Sequence, residues 1–263
     1  MKKHLILAAA ALALSACSES QEPGPSQVAS PAPAPATETV QEASAQETVA
    51  EQPVAIEIDA PSGQYASDPA HTNLYFSVKH LGVSNYLIRF TDFDVTVNLD
   101  ADDLSASSVQ ATIDAASIST DFSGDYAGTH PDSPFATWDE NLARSENFLN
   151  SDVHPTISFT STRVEPSDDG TLLVTGDLEL LGETRPITLE ASVVGSAEAH
   201  PFTGAGLIGF SATGSFNRSD FGMTHLVNPP IVGDAVTLRF EGEFLQQPEE
   251  EAEEERAEEE QVE

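Results

Sequence analysis

Few side chains in this sequence are placed to do chemistry, and those that are do not assemble into a reacting centre. His80 closes the run Phe76-Ser77-Val78-Lys79-His80, where alternation puts Phe76, Val78 and His80 on one face and Tyr75, Ser77 and Lys79 on the other. A histidine on an otherwise apolar face is either a contact for a ligand head group or a buried imidazole bonded to a backbone carbonyl, and the pattern leaves both open. Arg218 and Asp220 flank a turn before Phe221-Gly222. They form an internal Arg–Asp bond, or Arg218 receives an anionic head group. Arg144 has the same two readings, while His71, ahead of a threonine at a strand start, reads as fixing a turn. There is no Gly-x-Ser-x-Gly elbow, no glycine-rich phosphate loop, and no His-x-x-x-His or His-Glu-x-x-His spacing. We therefore expect no catalytic residue, no metal site and no cofactor, and read the protein as a non-enzyme.

Charge narrows the partners. The chain of 263 residues carries 44 acids against 10 bases, a formal charge of −34. Nucleic acid is excluded, because neutralising phosphates needs clustered lysine and arginine. Electrostatic docking of the whole molecule on an anionic membrane is equally disfavoured.

The elements that must position these residues come from a chain in four parts. Lys2 and Lys3 precede an apolar run from Leu5 to Leu14, too short to span a bilayer and suited to a signal-peptide core. Leu14-Ser15-Ala16-Cys17 resembles the bacterial lipoprotein signal, in which the cysteine is lipidated and becomes the mature N-terminus. An ordinary secretory leader with a chance cysteine is the alternative. Cys17 is the sole cysteine, so no disulfide can form within the chain. Ser18 is not the aspartate associated with inner-membrane retention, so the expected location is the periplasm, anchored to the outer rather than the inner membrane. Residues 18–60 are rich in Pro, Ala, Glu, Ser and Thr and have almost nothing to bury, which predicts a disordered tether. Residues 61–247 form the domain, and 248–263 are an acidic tail expected to be disordered.

Within the domain, alternating runs recur: the opening stretch, then 93–99, 108–114, 156–161, 172–181, 187–194, 208–216 and 236–244. Turn chemistry separates several, as in Ser167-Asp168-Asp169-Gly170 and Leu181-Gly182-Glu183. No helical crossovers intervene, so the fold class is all-β: an antiparallel barrel or sandwich. Thr137 to Leu149 reads as a short covering helix capped by Thr137 with Glu140 as its partner, and Gly124 to Pro131 as an irregular loop. Alternation turns Phe76, Val78, His80, Phe93, Val95, Val109, Ile113, Ile157, Phe159, Leu178, Leu180, Phe210, Phe216, Leu238 and Phe240 inward. An eight-stranded barrel is either filled by such side chains or hollow enough for one ligand.

Several motifs are shared with one known family. Asp68 to Ser84 resembles the opening signature of the YceI-like family. Arg89-Phe90 with Phe93 is similar to its "GRF…F" element, with Ile88 for the usual glycine, and Ile113 to Thr120 to its "ID.ASI.T" element. His154-Pro155-Thr156-Ile157-Ser158-Phe159, Gly176-Asp177-Leu178, Thr184 to Leu189, Arg218-Ser219-Asp220-Phe221-Gly222 and Gly233 to Leu238 follow in order. The sequence departs at Leu181-Gly182, where the family has a histidine, and at Asn141 to Leu149, where it has an Arg-Asp-x-His-Leu element. The resemblance implies an extended eight-stranded antiparallel lipocalin-like β-barrel with a short helical insertion, holding a polyisoprenoid such as a quinone or a prenyl phosphate in its lumen. Cytochrome b561-type membrane proteins are partners by family association. The ligand-binding set expected is Phe76, Val78, His80, Phe93, Ile113, Phe148, Phe159, Leu178, Phe210, Phe216, Arg218, Phe221, Leu238 and Phe240. The competing expectation is an envelope stress or structural protein with a filled barrel and no ligand.

Overall fold

Alternating burial sets the strands. Leu172–Leu180 turns Leu172, Val174, Leu178 and Leu180 inward and leaves Leu173, Asp177 and Glu179 outside, and Phe93–Leu99 buries Val95, Val97 and Leu99 in the same rhythm. The computed structural model describes residues 54–228 and 231–248. The expected anchor at Cys17, the linker up to residue 53 and the tail after residue 248 lie outside the described residues.

The strands are β1 Gly63–Ser67, β2 Asn73–His80, β3 Ser84–Phe90, β4 Phe93–Leu99, β5 Ser108–Asp114, β6 Ile118–Ser119, β7 Thr156–Pro166, β8 Leu172–Leu180, β9 Glu183–Ala197, β10 Leu207–Asn217 and β11 Val232–Gln246. All pairings are antiparallel, and β1 joins β11 to close the sheet. One edge of β11 holds two strands in succession: Phe244, Leu245 and Gln246 face β1, and Val232 to Glu241 face β2. So β1 and β2 are one stave, broken at residues 68–72. By the same token β3 and β4 are one stave bent at Thr91-Asp92, since β3 pairs with β2 and β4 with β1. β5 and β6 are another, interrupted by the turn Ala115–Ser117. The result is an eight-stranded closed up-and-down barrel, and each predicted run falls on one of its staves.

The break between β1 and β2 is built from Asp68. Its carboxylate accepts from the Ala70 amide at 2.8 Å and meets His71 Nδ1 at 2.8 Å, so His71 does fix a turn. One end of the barrel is a solid floor, where the chain enters and where the β4–β5, β7–β8 and β9–β10 connections lie. Tyr65, Ile208 and Phe244 are fully buried there. The Tyr65 hydroxyl donates to the Pro61 carbonyl at 2.6 Å, and burial pushes its phenol up to about 12.

The opposite end carries the β2–β3 and β8–β9 turns, residues 218–228, and the β6–β7 connection with helices α1 Tyr126–Thr129 and α2 Trp138–Arg144. The Thr137 hydroxyl accepts from the Glu140 amide at 3.0 Å, and the Glu140 carboxylate accepts from the Ala136 amide at 2.8 Å. The helix stops at Arg144, earlier than the pattern predicts. The chain then doubles back along its last turn, with the amides of Leu149 and Ser151 donating to the carbonyls of Leu142 and Ala143. The predicted loop at 124–131 contains the single turn α1, capped by Asp125.

Candidate functional site

The inward faces do not meet. They enclose one cavity of about 540 Å³ that touches Leu99, Leu172 and Phe244 at the floor and His80, Tyr86 and Phe122 at the other end. This size is within the roughly 300–1,000 Å³ typical of small-molecule pockets. The side-chain-filled barrel is thus corrected: nine of the thirteen phenylalanines, with many aliphatic residues, line the wall without filling the space. Small residues supply part of the room, since Ala191 and Ala212 face each other across the β9–β10 pair and both line the cavity.

Of the residues expected to contact a ligand, Phe76, Val78, His80, Ile113, Phe148, Phe159, Leu178, Phe210, Phe216, Arg218, Leu238 and Phe240 line this cavity. Phe93 and Phe221 stand outside its lining. Phe93 is half-buried against both halves of the core, and Phe221 is buried edge-on to Phe216 at 5.3 Å. Leu149 and Trp138 line it from the helical connection, and Ile88 and Tyr86 from β3. Alternation through β3 points to Tyr86 and Ile88, but outward Leu87 blurs that signal. Trp138 is the only tryptophan of the chain. It packs on Tyr126 at 4.8 Å and on His130 at 4.9 Å.

Polar groups in the lining are few: His80, Tyr86, Trp138 and Arg218 at the helical end, and Ser107 at the floor. His80 is exposed at the rim, 6.5 Å from the ring of Tyr86, which removes the buried-imidazole alternative. Arg218 is 2 % exposed. The expected internal Arg–Asp bond is not formed: its guanidinium does not bond Asp220. Instead Nε donates to Gly233 O at 2.9 Å, Nη1 to Met223 O at 3.3 Å, and Nη2 to His225 O at 2.7 Å and Val232 O at 3.0 Å. Asp234 is taken by Ser219, through amide and hydroxyl at 2.9 and 2.7 Å. Burial lowers the Arg218 pKa, partly offset by the charge of Asp234. Four fixed N–H bonds tie Met223, His225, Val232 and Gly233 to Arg218 at the cavity's end. Arg144 lies outside the lining and is exposed, bonded to Glu140 at 3.0 Å and Asp152 at 3.1 Å.

The Phe148 ring meets His225 edge-on at 5.4 Å, so the helical connection and the Arg218-bound segment touch at the mouth. No group of three or more His, Cys, Asp or Glu side chains able to hold a metal occurs among the described residues. What this arrangement offers chemically is an apolar tube with polar side chains gathered at its open end. That is a site for a long greasy molecule with one polar end.

An apolar-lumen barrel with a polar mouth defines a class of lipid-holding β-barrels. Residues 65–244 match the YceI-like domain, and the chain belongs to that family. It is 35% identical over 173 residues to a UPF0312 protein of Shewanella denitrificans, covering 66% of this chain and 82% of that one. To protein YceI of Escherichia coli it is 35% identical over 172 residues, covering 65% and 81%. Among solved structures, Campylobacter jejuni YceI superposes with a TM-score of 0.51 at 27% identity, over 65% of this chain and 90% of that one. BcnA of Burkholderia cenocepacia shares the fold, with a TM-score of 0.53 at 21% identity, over 67% and 98%.

Proposed function

We propose that this protein is a lipid-anchored, periplasm-facing binding protein that holds or carries a polyisoprenoid lipid in its barrel. The observation that carries the reading is the cavity: apolar along the whole barrel, with polar side chains confined to the mouth apart from Ser107. A prenyl tail needs van der Waals contact and no hydrogen bonds, which phenylalanine and branched aliphatic walls supply. Its polar end, a quinone carbonyl or a phosphate, would sit near His80, Tyr86 and Arg218. The reading is of a binder rather than an enzyme. Cys17, placed at the end of a leader, supports attachment to a membrane, and Ser18 after it supports the outer one. With a quinone as cargo, a membrane electron-transfer protein of the cytochrome b561 type is the corresponding partner.

Trp138 provides the test. It lines the cavity at the mouth, and quinones quench indole fluorescence, so titrating the full chain with a prenylated quinone should quench Trp138 saturably at one equivalent. Organic extracts of protein purified from its host should contain a prenyl lipid by mass spectrometry. No quenching by quinones or perturbation by prenyl phosphates, together with lipid-free extracts, sinks the proposal.

A further inference from the structure

The mouth of the cavity has a lip with unusual chemistry. At the β2–β3 turn, Leu81 and Val83 are exposed, Val83 at 82 %, and Leu87 follows on the outer face of β3. Tyr86 of the same hairpin, and Phe122, are exposed and also line the cavity, so the mouth presents apolar side chains both to solvent and to the lumen.

Two further observations set this lip apart. The first is charge. In a chain with 44 acids, no aspartate or glutamate occurs between Asp68 and Asp92, a stretch that holds Lys79, His80 and Arg89. Nor does one occur between Asp220 and Asp234, and the two acid-free segments touch: the Leu81 amide donates to Ile231 O at 2.7 Å. Asp121 pairs with Arg89 at 2.8 Å behind the lip, so the hairpin tip itself carries Lys79 and no carboxylate, and the repulsion that the whole molecule feels from an anionic lipid surface is locally reduced. The second is backbone. Leu81 sits at φ 52°, a left-handed position that suits Asn or Gly. Leu181, at φ 56° in the β8–β9 turn, does the same but packs against the core. Leu81 has no such packing: its side chain is exposed.

We propose that this β2–β3 lip inserts into the lipid bilayer, so that cargo passes between membrane and lumen without crossing water. The inference rests on the carrier reading only for what passes through the mouth. Exposed apolar side chains at a hairpin tip, beside the cation Lys79, are what interfacial insertion requires.

The test uses the full chain and vesicles of phosphatidylethanolamine and phosphatidylglycerol. In a Trp138→Phe background, a single tryptophan is placed by Val83→Trp at the lip or by Phe202→Trp at the floor end. Brominated phospholipid should quench the first strongly and the second weakly. Equal or absent quenching overturns the proposal. Penetration only into native membrane vesicles overturns it in favour of a membrane-protein partner. Self-association of the full chain without vesicles, abolished by Val83→Asp, overturns it in favour of a second copy.

A second arm uses quinone-loaded vesicles of the same lipids and Trp138 emission. The transfer rate should rise with vesicle concentration and fall about tenfold or more in Leu81→Asp/Val83→Asp/Leu87→Asp, with the final extent of binding unchanged. Leu81→Asn, which suits the turn, should slow transfer without loss of thermal stability. A rate independent of vesicle concentration and unaffected by these substitutions overturns the proposal. If position 83 penetrates but no quinone binds, the lip stands and the carrier reading falls.

Discussion

At the scale of single residues, Arg218 is the costliest side chain in the barrel. A buried guanidinium is tolerated because four carbonyls from one segment satisfy it. Arg218→Met removes the donors and strands those acceptors, so unfolding should become easier by about 2–4 kcal/mol in denaturant titrations. Arg218→Lys should recover only part of this, because an ammonium cannot reproduce the planar fork. Gly176, in the shared Gly-Asp-Leu motif, has a different role. A Cβ there would lie 2.5 Å from both Phe159 Cζ and Thr160 O. Gly176→Ala should cost about 1–3 kcal/mol and shift Phe159 within the lumen, which changes ligand affinity as well as the thermal midpoint. Leu81→Asn, by relieving a left-handed leucine, should stabilise by roughly 0.5–1 kcal/mol.

At the scale of elements, the Asp68 turn that divides β1 from β2 makes stability depend on pH. Its hydrogen bond to His71 holds the Asp68 pKa down and the His71 pKa up. The histidine contribution is complete below the ordinary histidine value and lost as pH rises through the raised one. The aspartate contribution is complete above the ordinary aspartate value and lost as pH falls through the lowered one. The gap in thermal midpoint between wild type and Asp68→Asn should therefore be widest between about pH 4 and 6.5 and narrow on either side. Both groups are solvent-facing, so the gap is small. Such turns also explain which elements could be read from sequence. Alternation was enough for β4, β5, β7, β8, β10 and β11, where one face is core and the other water. It fails at β1, whose only buried side chain is Tyr65, at two-residue β6, and at β3, where Leu87 is apolar but faces outward. The helix was legible from its capping box, while its end was set by the fold-back of Leu149 and Ser151, a tertiary event without a local signal.

At the scale of the whole molecule, the cavity tests whether emptiness is the functional property. Ala191→Leu with Ala212→Leu should narrow the lumen from two neighbouring positions on one wall, weakening quinone quenching of Trp138 while leaving the thermal midpoint unchanged or higher. Inward faces could be listed from sequence, and most of them do line the space. The hollow itself could not, because it depends on how far opposite walls stand apart, which no single strand encodes. The polar mouth was half legible: His80 by pattern, but the carbonyl partners of Arg218 only by structure. The broken staves have a further consequence. Near the floor, β1, β4 and β5 complete a closed ring, whereas at the mouth β2 and β3 hang from β11 along one edge, and β6 holds β3 at only Arg89 and Phe90. The amides of β3 should therefore exchange with deuterium by a partial opening well below the global free energy, while those of β8 to β10 wait for complete unfolding. Such a molecule can unlace its upper wall and keep its base sealed, opening the lumen without ever coming apart.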